Sequence, residues 1–321
     1  MTAAICGTGS YVPPYTMDNN DIAKLVETSD EWIRERTGVI RRHIAKTETT
    51  VSMAIEAAGK ALQDADISPE ELDLILVSTI SSNVILPCAA CEVQKELGAV
   101  NAACFDLSAA CTGFVFAYNT ALAYIASGMY RTILIVGSET LSNLTNWEDR
   151  GTCILFGDGA GAAVIKAAEG RLYKAVTHSD GSKGSALTCE SRHLKDWKIR
   201  PEEDTYMKMD GQAVFKFAVR RVPEVINEVL EANDMCREEI DCYILHQANK
   251  RIVEAVAKRL DEPMEKFPMN LQEYGNTSSA SIPILLDELN REGILKKGQK
   301  IVLAGFGAGL SWGASVLEWQ P

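Results

Sequence analysis

The apolar run Arg131-Thr132-Ile133-Leu134-Ile135-Val136-Gly137 indicates a buried strand. Further along the chain comes a Gly-rich segment, Gly157-Asp158-Gly159-Ala160-Gly161-Ala162-Ala163-Val164-Ile165. The same order returns near the C-terminus, where Lys300-Ile301-Val302-Leu303-Ala304-Gly305 leads to Gly307-Ala308-Gly309-Leu310-Ser311-Trp312-Gly313-Ala314-Ser315-Val316-Leu317. Each pair is interpreted as a strand, a Gly-rich turn and a second apolar strand. The repetition predicts an internal duplication with a seam near residues 167–171. The alternative is a chance similarity between two Gly-rich hairpins.

Apolar runs alternate with amphipathic ones along the rest of the chain. The predicted strands are Leu72–Ile80, Thr132–Gly137, Ile240–Leu245 and Lys300–Ala304. The predicted helices are Thr50–Ala65, Ala89–Leu97, Thr112–Ser127, Ala213–Ala232 and Lys250–Leu260. This alternation favours an α/β fold layered around a central sheet. The polar stretch from His178 to Asp210 is interpreted as a surface excursion near a site.

Composition limits the classes of protein to which the chain can belong. Its 321 residues are 46% hydrophobic, which is enough for a large buried core. The net charge of −12 disfavours sequence-independent binding of nucleic acid. Nine scattered cysteines are typical of reduced thiols in a cytosol. The N-terminus predicts no signal peptide, and no apolar stretch approaches the roughly 20 residues of a membrane span. We therefore expect a cytoplasmic location and no membrane partner.

The most informative cysteine is Cys111, which lies where a strand-like run turns into a long apolar helix, in Asp106-Leu107-Ser108-Ala109-Ala110-Cys111-Thr112-Gly113-Phe114. A helix N-terminus offers unpaired N–H groups and the positive end of the helix dipole. Both favour a thiolate, which is the nucleophilic form, and the same N–H groups can bind an oxyanion. The alternative is a small core residue. Small neighbours disfavour it, because they leave room for a substrate.

A distant histidine and asparagine can complete a nucleophilic constellation with this cysteine. His246 follows the strand-like run Cys242–Leu245, at the edge where α/β proteins place ligand-contacting residues. Asn276 lies between Gly275 and Thr277, where a turn or helix-cap role is the alternative. A structural role is also open for the histidine. Only the fold can bring the three side chains together.

Two other motifs have weaker chemical content. Cys88-Ala89-Ala90-Cys91 has the spacing of a redox or zinc site, but the sequence shows neither a second pair nor a thioredoxin-like context, so a structural role is predicted. Gly157–Gly161 lacks the Gly-Lys-Ser/Thr of a phosphate loop and is interpreted as a hairpin turn. The remaining histidines, His43, His178 and His193, show no ligand spacing, and no metal site is expected.

Basic residues gather near His246 although the chain is acidic. Four lie on the helix that follows it, and three lie on the preceding predicted helix: Lys250, Arg251, Lys258 and Arg259, then Lys216, Arg220 and Arg221. A basic patch beside a site indicates an acidic partner other than nucleic acid. A solvated helix face is the alternative.

Taken together, these segments resemble the β-ketoacyl-acyl-carrier-protein synthase III family over essentially the whole chain. The shared motifs are Asp30–Val39, Asp106–Gly113, Asp149–Thr152, Phe156–Ala162, His246–Asn249, Gly275–Ser278 and Gly305–Gly313. The resemblance implies a thiolase-like α/β fold, with duplicated halves in five alternating layers, α-β-α-β-α. Residues 1–168 would form the half with the nucleophilic cysteine, and residues 169–321 the half with the histidine and asparagine. It also implies a homodimer.

The resemblance assigns the catalytic triad to Cys111, His246 and Asn276. Elongating synthases of the same superfamily carry a second histidine at the position of the asparagine. The implied reaction is the decarboxylative condensation of a short acyl-coenzyme A with malonyl-acyl carrier protein, with no metal and no redox cofactor. The backbone N–H groups of Cys111 and Ala308 would form the oxyanion hole, and Ala308 stands where the family commonly has glycine.

The resemblance also implies three groups of binding residues. Coenzyme A contacts are expected at Thr28, Trp32, Arg36, Arg150, Gly211, Phe215 and Asn249, with Trp32 and Arg150 enclosing the adenine. Carrier-protein contacts are expected at Gln247, Ala248, Asn249, Lys250, Arg251, Lys216 and Lys258. Leu86 stands where the family often has phenylalanine, at a position that caps the partner subunit's acyl pocket, and we expect it to alter the choice of primer.

Other functions remain open from the sequence. A synthase-III-like acyltransferase of secondary metabolism can keep the same residues. A thiolase is disfavoured, because it needs a second catalytic cysteine near the C-terminus and Cys242 is the last one here. A non-catalytic acyl-coenzyme A binding protein and a thiol redox protein are the alternatives from other classes.

Overall fold

The computed structural model describes residues 2–190 and 206–321. The strands are β1 (Thr2–Tyr11), β2 (Thr16–Asp18), β3 (Arg41–His43), β4 (Leu74–Ser78), β5 (Ala103–Leu107), β6 (Thr132–Glu139), β7 (Gly159–Ala168), β8 (Val176–Ser179), β9 (Leu187–Thr188), β10 (Lys208–Met209), β11 (Cys242–Leu245), β12 (Lys300–Gly307) and β13 (Ser311–Glu318). The helices are α1 (Asn19–Ile22), α2 (Asp30–Thr37), α3 (Thr50–Ala65), α4 (Ala89–Leu97), α5 (Gly113–Ala126), α6 (Arg150–Cys153), α7 (Gly211–Ala232), α8 (Lys250–Leu260), α9 (Leu271–Tyr274) and α10 (Ser281–Arg291). Within these ranges, no helix has the length and hydrophobicity that crossing a bilayer requires.

Two large sheets share one strand pattern. The first has the order β1-β7-β6-β4-β5, with β4 parallel to β5 and β6, and β7 antiparallel to both of its neighbours. The second has the order β11-β12-β13-β8, with β11 parallel to β12 and the other pairs antiparallel. The series β4-β6-β7-β1 therefore matches β11-β12-β13-β8 in order and direction. This match supports an internal duplication, and the division at residues 168 and 169 stays a prediction.

The helices and sheets form five alternating layers. Helices α3 and α4 cover the outer face of the first sheet, where Ala57, Leu62 and Val93 pack against its strands. Helices α5 and α10 lie between the two sheets in a core that includes Phe114 and Leu286. Helices α7 and α8 cover the outer face of the second sheet. The loops that carry polar residues emerge where the two sheets meet α5 and α10.

The observed ends of three helices agree with the sequence predictions, whereas the prediction for one Gly-rich segment does not agree with the structure. The predicted α3, α4 and α8 have the observed bounds, and Thr49 and Asn249 cap α3 and α8 through their side chains. The interpretation of Gly157–Gly161 as a hairpin turn is wrong, because β7 begins at Gly159. Glycine in this segment instead allows a helix to pack closely against the sheet. A Cβ on Gly161 would lie 2.6 Å from the backbone nitrogen of Ile284, so glycine lets α10 approach the sheet.

The described part of the predicted polar excursion lies beside the main cavity. Strand β9 pairs with β10, and Leu187, Thr188 and Met209 line the cavity wall. The portion of this prediction that falls on residues 191–205 lies outside the described residues.

Candidate active site

One cavity of about 1220 Å³ brings together the residues that the sequence singled out. Cys111 lies in a 3-10 turn, Ala110–Thr112, immediately before α5. His246 follows β11, and Asn276 lies between α9 and a second 3-10 turn, Ser278–Ala280. These three residues and Ala308 all line the cavity. The fold therefore places the predicted nucleophile and its two predicted partners around one space.

Burial controls the protonation of Cys111. The side chain is only 8% exposed, and burial raises the pKa of its thiol to about 12. The Ser278 hydroxyl, which is buried without a hydrogen-bond partner of ordinary geometry, lies close enough to lower this pKa, while Glu139 raises it. The resting side chain is thus a neutral thiol. This differs from the expectation that a helix start favours a thiolate, because desolvation outweighs the helix terminus.

The hydrogen bonds of His246 determine which ring nitrogen carries its proton. Nδ1 lies 2.7 Å from Oγ of Ser281, and that oxygen accepts from the backbone N–H of Gln247 at 3.3 Å. Among the described residues, Nδ1 is the only acceptor within reach of this hydroxyl, and we assign the hydroxyl hydrogen to it. Burial lowers the pKa of His246 to about 3, so the ring is neutral. The remaining proton lies on Nε2, which is the free donor of the ring.

The carboxamide of Asn276 is oriented by its own loop. Its Oδ1 accepts from the backbone N–H of Ser278 at 2.9 Å, and its backbone N–H donates to the carbonyl of Leu155 at 2.9 Å. Gly275 has φ +67, and a Cβ there would lie 2.7 Å from the Leu155 carbonyl oxygen. Among the described residues, nothing accepts from Nδ2 of Asn276. The site therefore contains two fixed, neutral N–H donors, one on His246 and one on Asn276.

The end of β12 approaches Cys111 closely. A Cβ on Gly307 would lie 3.0 Å from both the backbone nitrogen and the Cβ of Cys111, so only glycine permits this approach. Ala308 follows it in the cavity wall, and its φ is outside the left-handed region that favours glycine. The first N–H groups of a helical turn have no partner within it. Cys111 and Ala308 therefore line the same cavity next to this close approach, and their role as an oxyanion hole stays a prediction.

Several residues of this site were missed by sequence reasoning. Glu139, at the end of β6, is fully buried and accepts hydrogen bonds from Thr79, Ile80, Ser81 and Ser279. Burial raises the pKa of its carboxyl group. These hydrogen bonds tie β6 to the loop that holds Asn276.

The sequence did carry a signal for this loop and for His246. The signal was the run Ser278-Ser279-Ala280-Ser281, which puts three hydroxyls at the start of an otherwise apolar helix. A second missed residue is Phe306, whose ring packs edge-to-face against His246 with centroids 5.1 Å apart.

The cavity has an apolar inner part and a polar mouth. Its inner wall beyond Cys111 is built from Ile80, Leu141, Leu144, Leu155, Phe156 and Met207. Five of the expected coenzyme A residues line the cavity: Trp32, Arg36, Gly211, Phe215 and Asn249. The side chain of Asn249 is occupied, since Nδ2 donates to the carbonyl of Arg36 and Oδ1 accepts from the N–H of Arg251.

The two other expected coenzyme A residues do not line the cavity. The guanidinium of Arg150 lies directly over the Trp32 ring, 5.0 Å from its centroid. Thr28 has a buried hydroxyl without a hydrogen-bond partner. Two stacking contacts would need about 7 Å between Trp32 and Arg150, so an adenine fits between them only if the exposed Arg150 side chain moves.

Basic side chains form an exposed surface beside the mouth, which we call the basic surface: Lys216, Lys250, Arg251 and Lys258. Arg251 lies over the cavity-lining Phe215 ring, 5.5 Å from its centroid. Among the described residues, Lys216 and Lys258 have no acidic partner, while Lys250 lies 3.6 Å from Glu254.

The expected carrier-protein contact at Gln247 needs correction. Its side chain is 1% exposed and donates to the carbonyl of Leu245, so it cannot touch a partner at the surface. Ala248, half-buried, lines the cavity itself.

Leu86 does not line the cavity of its own chain. Its side chain is 83% exposed, next to the cavity-lining Ile85, which is 74% exposed. Strand β5, which carries the exposed Phe105, is an edge strand of its sheet among the described strands.

Comparisons with known proteins agree over nearly the whole chain. The family models 3-oxoacyl-[acyl-carrier-protein] synthase III and its C-terminal domain match residues 105–181 and 230–319. The β-ketoacyl-[acyl-carrier-protein] synthase III of Clostridium acetobutylicum is 49% identical, with 98% of each chain covered, and that of Clostridium novyi is 47% identical, with 98% of each covered.

Solved structures give the same result. The 3-oxoacyl-[acyl-carrier-protein] synthase III of Aquifex aeolicus is 44% identical with a TM-score of 0.92, covering 99% of this chain and 100% of its own. A priming β-ketosynthase of the R1128 polyketide pathway is 35% identical with a TM-score of 0.94, covering 99% and 96%. These similarities confirm the predicted thiolase-like fold. The chain is therefore an acyltransferase that belongs to the β-ketoacyl-acyl-carrier-protein synthase III family.

Proposed function

We propose that this chain condenses a short acyl-coenzyme A with malonyl-acyl carrier protein to form a 3-oxoacyl-acyl carrier protein, the initiating step of fatty acid synthesis. The observation that carries the proposal is the pair of fixed neutral donors, His246 Nε2–H and Asn276 Nδ2–H, in one cavity with Cys111. Such donors match a reaction that develops negative charge on a thioester oxygen.

In the first half-reaction, the sulfur of Cys111 attacks the carbonyl carbon of the acyl thioester. The backbone N–H groups of Cys111 and Ala308 donate to the oxyanion of the tetrahedral intermediate. The coenzyme A sulfur then leaves and takes up the proton that the Cys111 thiol gives up, so the exchange of thioesters is balanced. His246 does not accept this proton, since Nε2 already carries one.

In the second half-reaction, carbon dioxide leaves the malonyl group and its electron pair forms an enolate. His246 and Asn276 donate hydrogen bonds to the enolate oxygen. The enolate carbon attacks the acyl carbonyl on Cys111, and the cysteine leaves as a thiolate that solvent reprotonates. Negative charge is stabilised by neutral N–H donors throughout, so the sequence of steps requires no metal and no redox cofactor.

Substrate binding is proposed to use two neighbouring groups of residues at the cavity mouth, which meet where Asn249 donates to the carbonyl of Arg36. Trp32, Arg36 and Arg150 would bind the adenine end of coenzyme A by stacking and cation–π contacts, once Arg150 moves from the ring of Trp32. The apolar inner wall would hold the primer. The basic surface would dock the acidic carrier protein and bring its malonyl group past Phe215.

We also propose a homodimer in the cytoplasm. The edge strand β5 and the exposed Ile85, Leu86 and Phe105 supply an unpaired ladder with apolar side chains, which a second copy can cover. In such a dimer Leu86 would reach the acyl pocket of the partner. All nine cysteines are free thiols, which suits a reducing compartment. A monomer by sedimentation at micromolar concentration would contradict the dimer.

A second candidate function is supported by one finding, the similarity to the priming ketosynthase of a polyketide pathway. That enzyme class would use the same site with a different primer or carrier. The distinction depends on the substrates and not on the geometry described above.

The test is a radiolabelled condensation assay with a panel of acyl-coenzyme A primers and malonyl-acyl carrier protein. We expect 3-oxoacyl product from short primers, no product from Cys111→Ser, and a loss of roughly 10²–10³ in rate when either neutral donor is removed in His246→Ala or Asn276→Ala. Acylation without condensation would exclude the proposal, and condensation only with another kind of primer or carrier would favour the second candidate.

A further inference from the structure

Three cysteines outside the active-site cavity lie together at the start of α4. Cys88 is the N-cap residue of this helix, and Cys91 lies one turn further on. Their sulfur atoms are 3.4 Å apart. Cys104, on the neighbouring strand β5, interacts with the Cys91 thiol and donates weakly to the carbonyl of Ala102 at 3.6 Å. All three are half-buried free thiols.

We propose that Cys88 and Cys91 form a reversible dithiol–disulfide site. The spacing of two intervening residues at a helix start is the arrangement that lets two cysteines close a short disulfide ring. The sulfurs are already in contact at 3.4 Å, and closure must shorten this distance to about 2.05 Å. The sequence alone favoured a structural role for the pair, because it shows neither a second pair nor a thioredoxin-like context.

The chemistry balances with a thiol oxidant of the disulfide class. One thiolate attacks glutathione disulfide and releases one glutathione, and the second thiol then displaces the other glutathione as the ring closes. Two thiol hydrogens pass to the two glutathione molecules. The reverse reaction with excess reduced glutathione restores both thiols.

The local electrostatics disfavour the thiolate of Cys91 at neutral pH. Asp106 accepts from the backbone N–H groups of Ala89 and Ala90, so a carboxylate already occupies the helix terminus. Hydrogen bonding to Cys88, burial and the nearby charge of Asp106 raise the pKa of Cys91. The pair therefore closes faster as pH rises, which separates it from a low-pKa redox catalyst.

The site adjoins a segment that matters for the proposed function, although the proposal does not depend on that function. Cys88 follows Leu86 and Pro87 directly, and Ile85 lines the active-site cavity. Closure of the ring would fix the base of this segment.

The test is peptide mapping of the full-length protein after treatment with glutathione disulfide at pH 8.5, followed by alkylation of the remaining thiols. Trypsin leaves Cys88 and Cys91 on one peptide, between Lys60 and Lys95, and Cys104 on the next. We expect that peptide to lose two hydrogen atoms and to resist alkylation until dithiothreitol is added.

Variants make the outcome specific. In Cys88→Ser the peptide should not lose two hydrogen atoms, and Cys91 should be found either alkylated or carrying one glutathione. Cys236→Ser, at an exposed cysteine away from the cluster, should not change closure. The proposal is overturned if both thiols stay alkylatable after treatment, if Cys91 is instead linked to Cys104, or if only mixed disulfides with glutathione form.

Discussion

At the scale of single residues, desolvation sets the protonation of the two reactive groups. Burial keeps Cys111 a neutral thiol and His246 a neutral imidazole, with pKa values of about 12 and about 3. With its proton on Nε2 and the lone pair of Nδ1 occupied by Ser281, the neutral ring of His246 offers a hydrogen-bond donor and no free basic nitrogen. His246 is therefore better suited to stabilise an enolate than to deprotonate the thiol of Cys111.

This protonation predicts how alkylation depends on pH. Because the pKa of Cys111 is raised, its thiolate fraction should increase about tenfold per pH unit between pH 7 and 10. The rate of iodoacetamide labelling, measured by mass spectrometry of the Cys111 peptide, should follow it without a plateau. A labelling rate that is already constant at pH 7 would mean that a low-pKa thiolate exists in the free protein.

Ser281 is predicted to act as a positioning residue for His246. Ser281→Ala removes the hydrogen bond to Nδ1, so the proton can move to that nitrogen and leave Nε2 without a donor. We expect the condensation rate to fall about tenfold, the value of one hydrogen bond, while the acylation of Cys111 is unchanged.

The matched variant for this prediction is Ser281→Thr, which keeps the hydroxyl and should restore most of the rate. The tautomer can be observed directly through the ¹⁵N chemical shifts of the His246 ring. An equal loss of acylation and condensation would instead indicate a general packing defect.

The sequence indicated Cys111, His246 and Asn276 but not the states in which they occur. The position of Cys111 at a helix start and of His246 after a strand followed from local patterns. The raised pKa of Cys111 depends on burial, and the tautomer of His246 depends on Ser281. Ser281 is far from His246 in sequence, and only folding brings the two side chains together. Local sequence carries no measure of desolvation, so these properties could not be predicted.

At the scale of elements, the site depends on how closely β12 approaches the turn that holds Cys111. Gly307→Ala puts a methyl group 3.0 Å from the backbone nitrogen and Cβ of Cys111, which must then shift. We expect acylation to slow by at least tenfold and the free energy of unfolding to fall by about 1–3 kcal/mol.

The control is Gly59→Ala on α3, where an added Cβ meets no atom within 4 Å. It should leave acylation unchanged and stabilise the helix by about 0.5–1 kcal/mol. Stopped-flow acylation and denaturant unfolding measure the two effects. Full acylation activity in Gly307→Ala would show that this close approach does not position the nucleophile.

The elements themselves were predicted well where capping and periodicity decide them. Helices α3, α4 and α8 show apolar spacing with clear ends, and their bounds matched. The Gly157–Gly161 segment was misinterpreted, because glycines that serve close helix packing have the same composition as glycines that serve a turn. Only the position of α10 distinguishes the two cases.

At the scale of the whole molecule, charge is distributed unevenly. The chain carries a net charge of −12, yet the basic surface faces solvent beside the cavity mouth. Such a surface should raise the rate of encounter with an acidic carrier protein and lose this effect in salt. The ring of Trp32, which we propose stacks on the adenine of coenzyme A, carries no charge and should respond less to salt.

Charge reversal tests this difference between the carrier protein and acyl-coenzyme A. In Lys216→Glu/Lys258→Glu we expect the KM for malonyl-acyl carrier protein to rise about tenfold, while the KM for acyl-coenzyme A stays unchanged. Lys296→Glu/Lys297→Glu makes the same change in net charge away from the cavity and is the control. Equal effects of the two double variants would attribute the result to net charge alone.

The central claim is that Cys111 carries the primer between two half-reactions. The most direct measurement is peptide mass spectrometry after incubation with acetyl-coenzyme A, followed by a chase with malonyl-acyl carrier protein. We predict one acetyl group on the Cys111 peptide that disappears in the chase as 3-oxobutyryl-acyl carrier protein forms at the same rate. Acetylation of another residue, or an acetyl-Cys111 that survives the chase while product accumulates, would contradict the account.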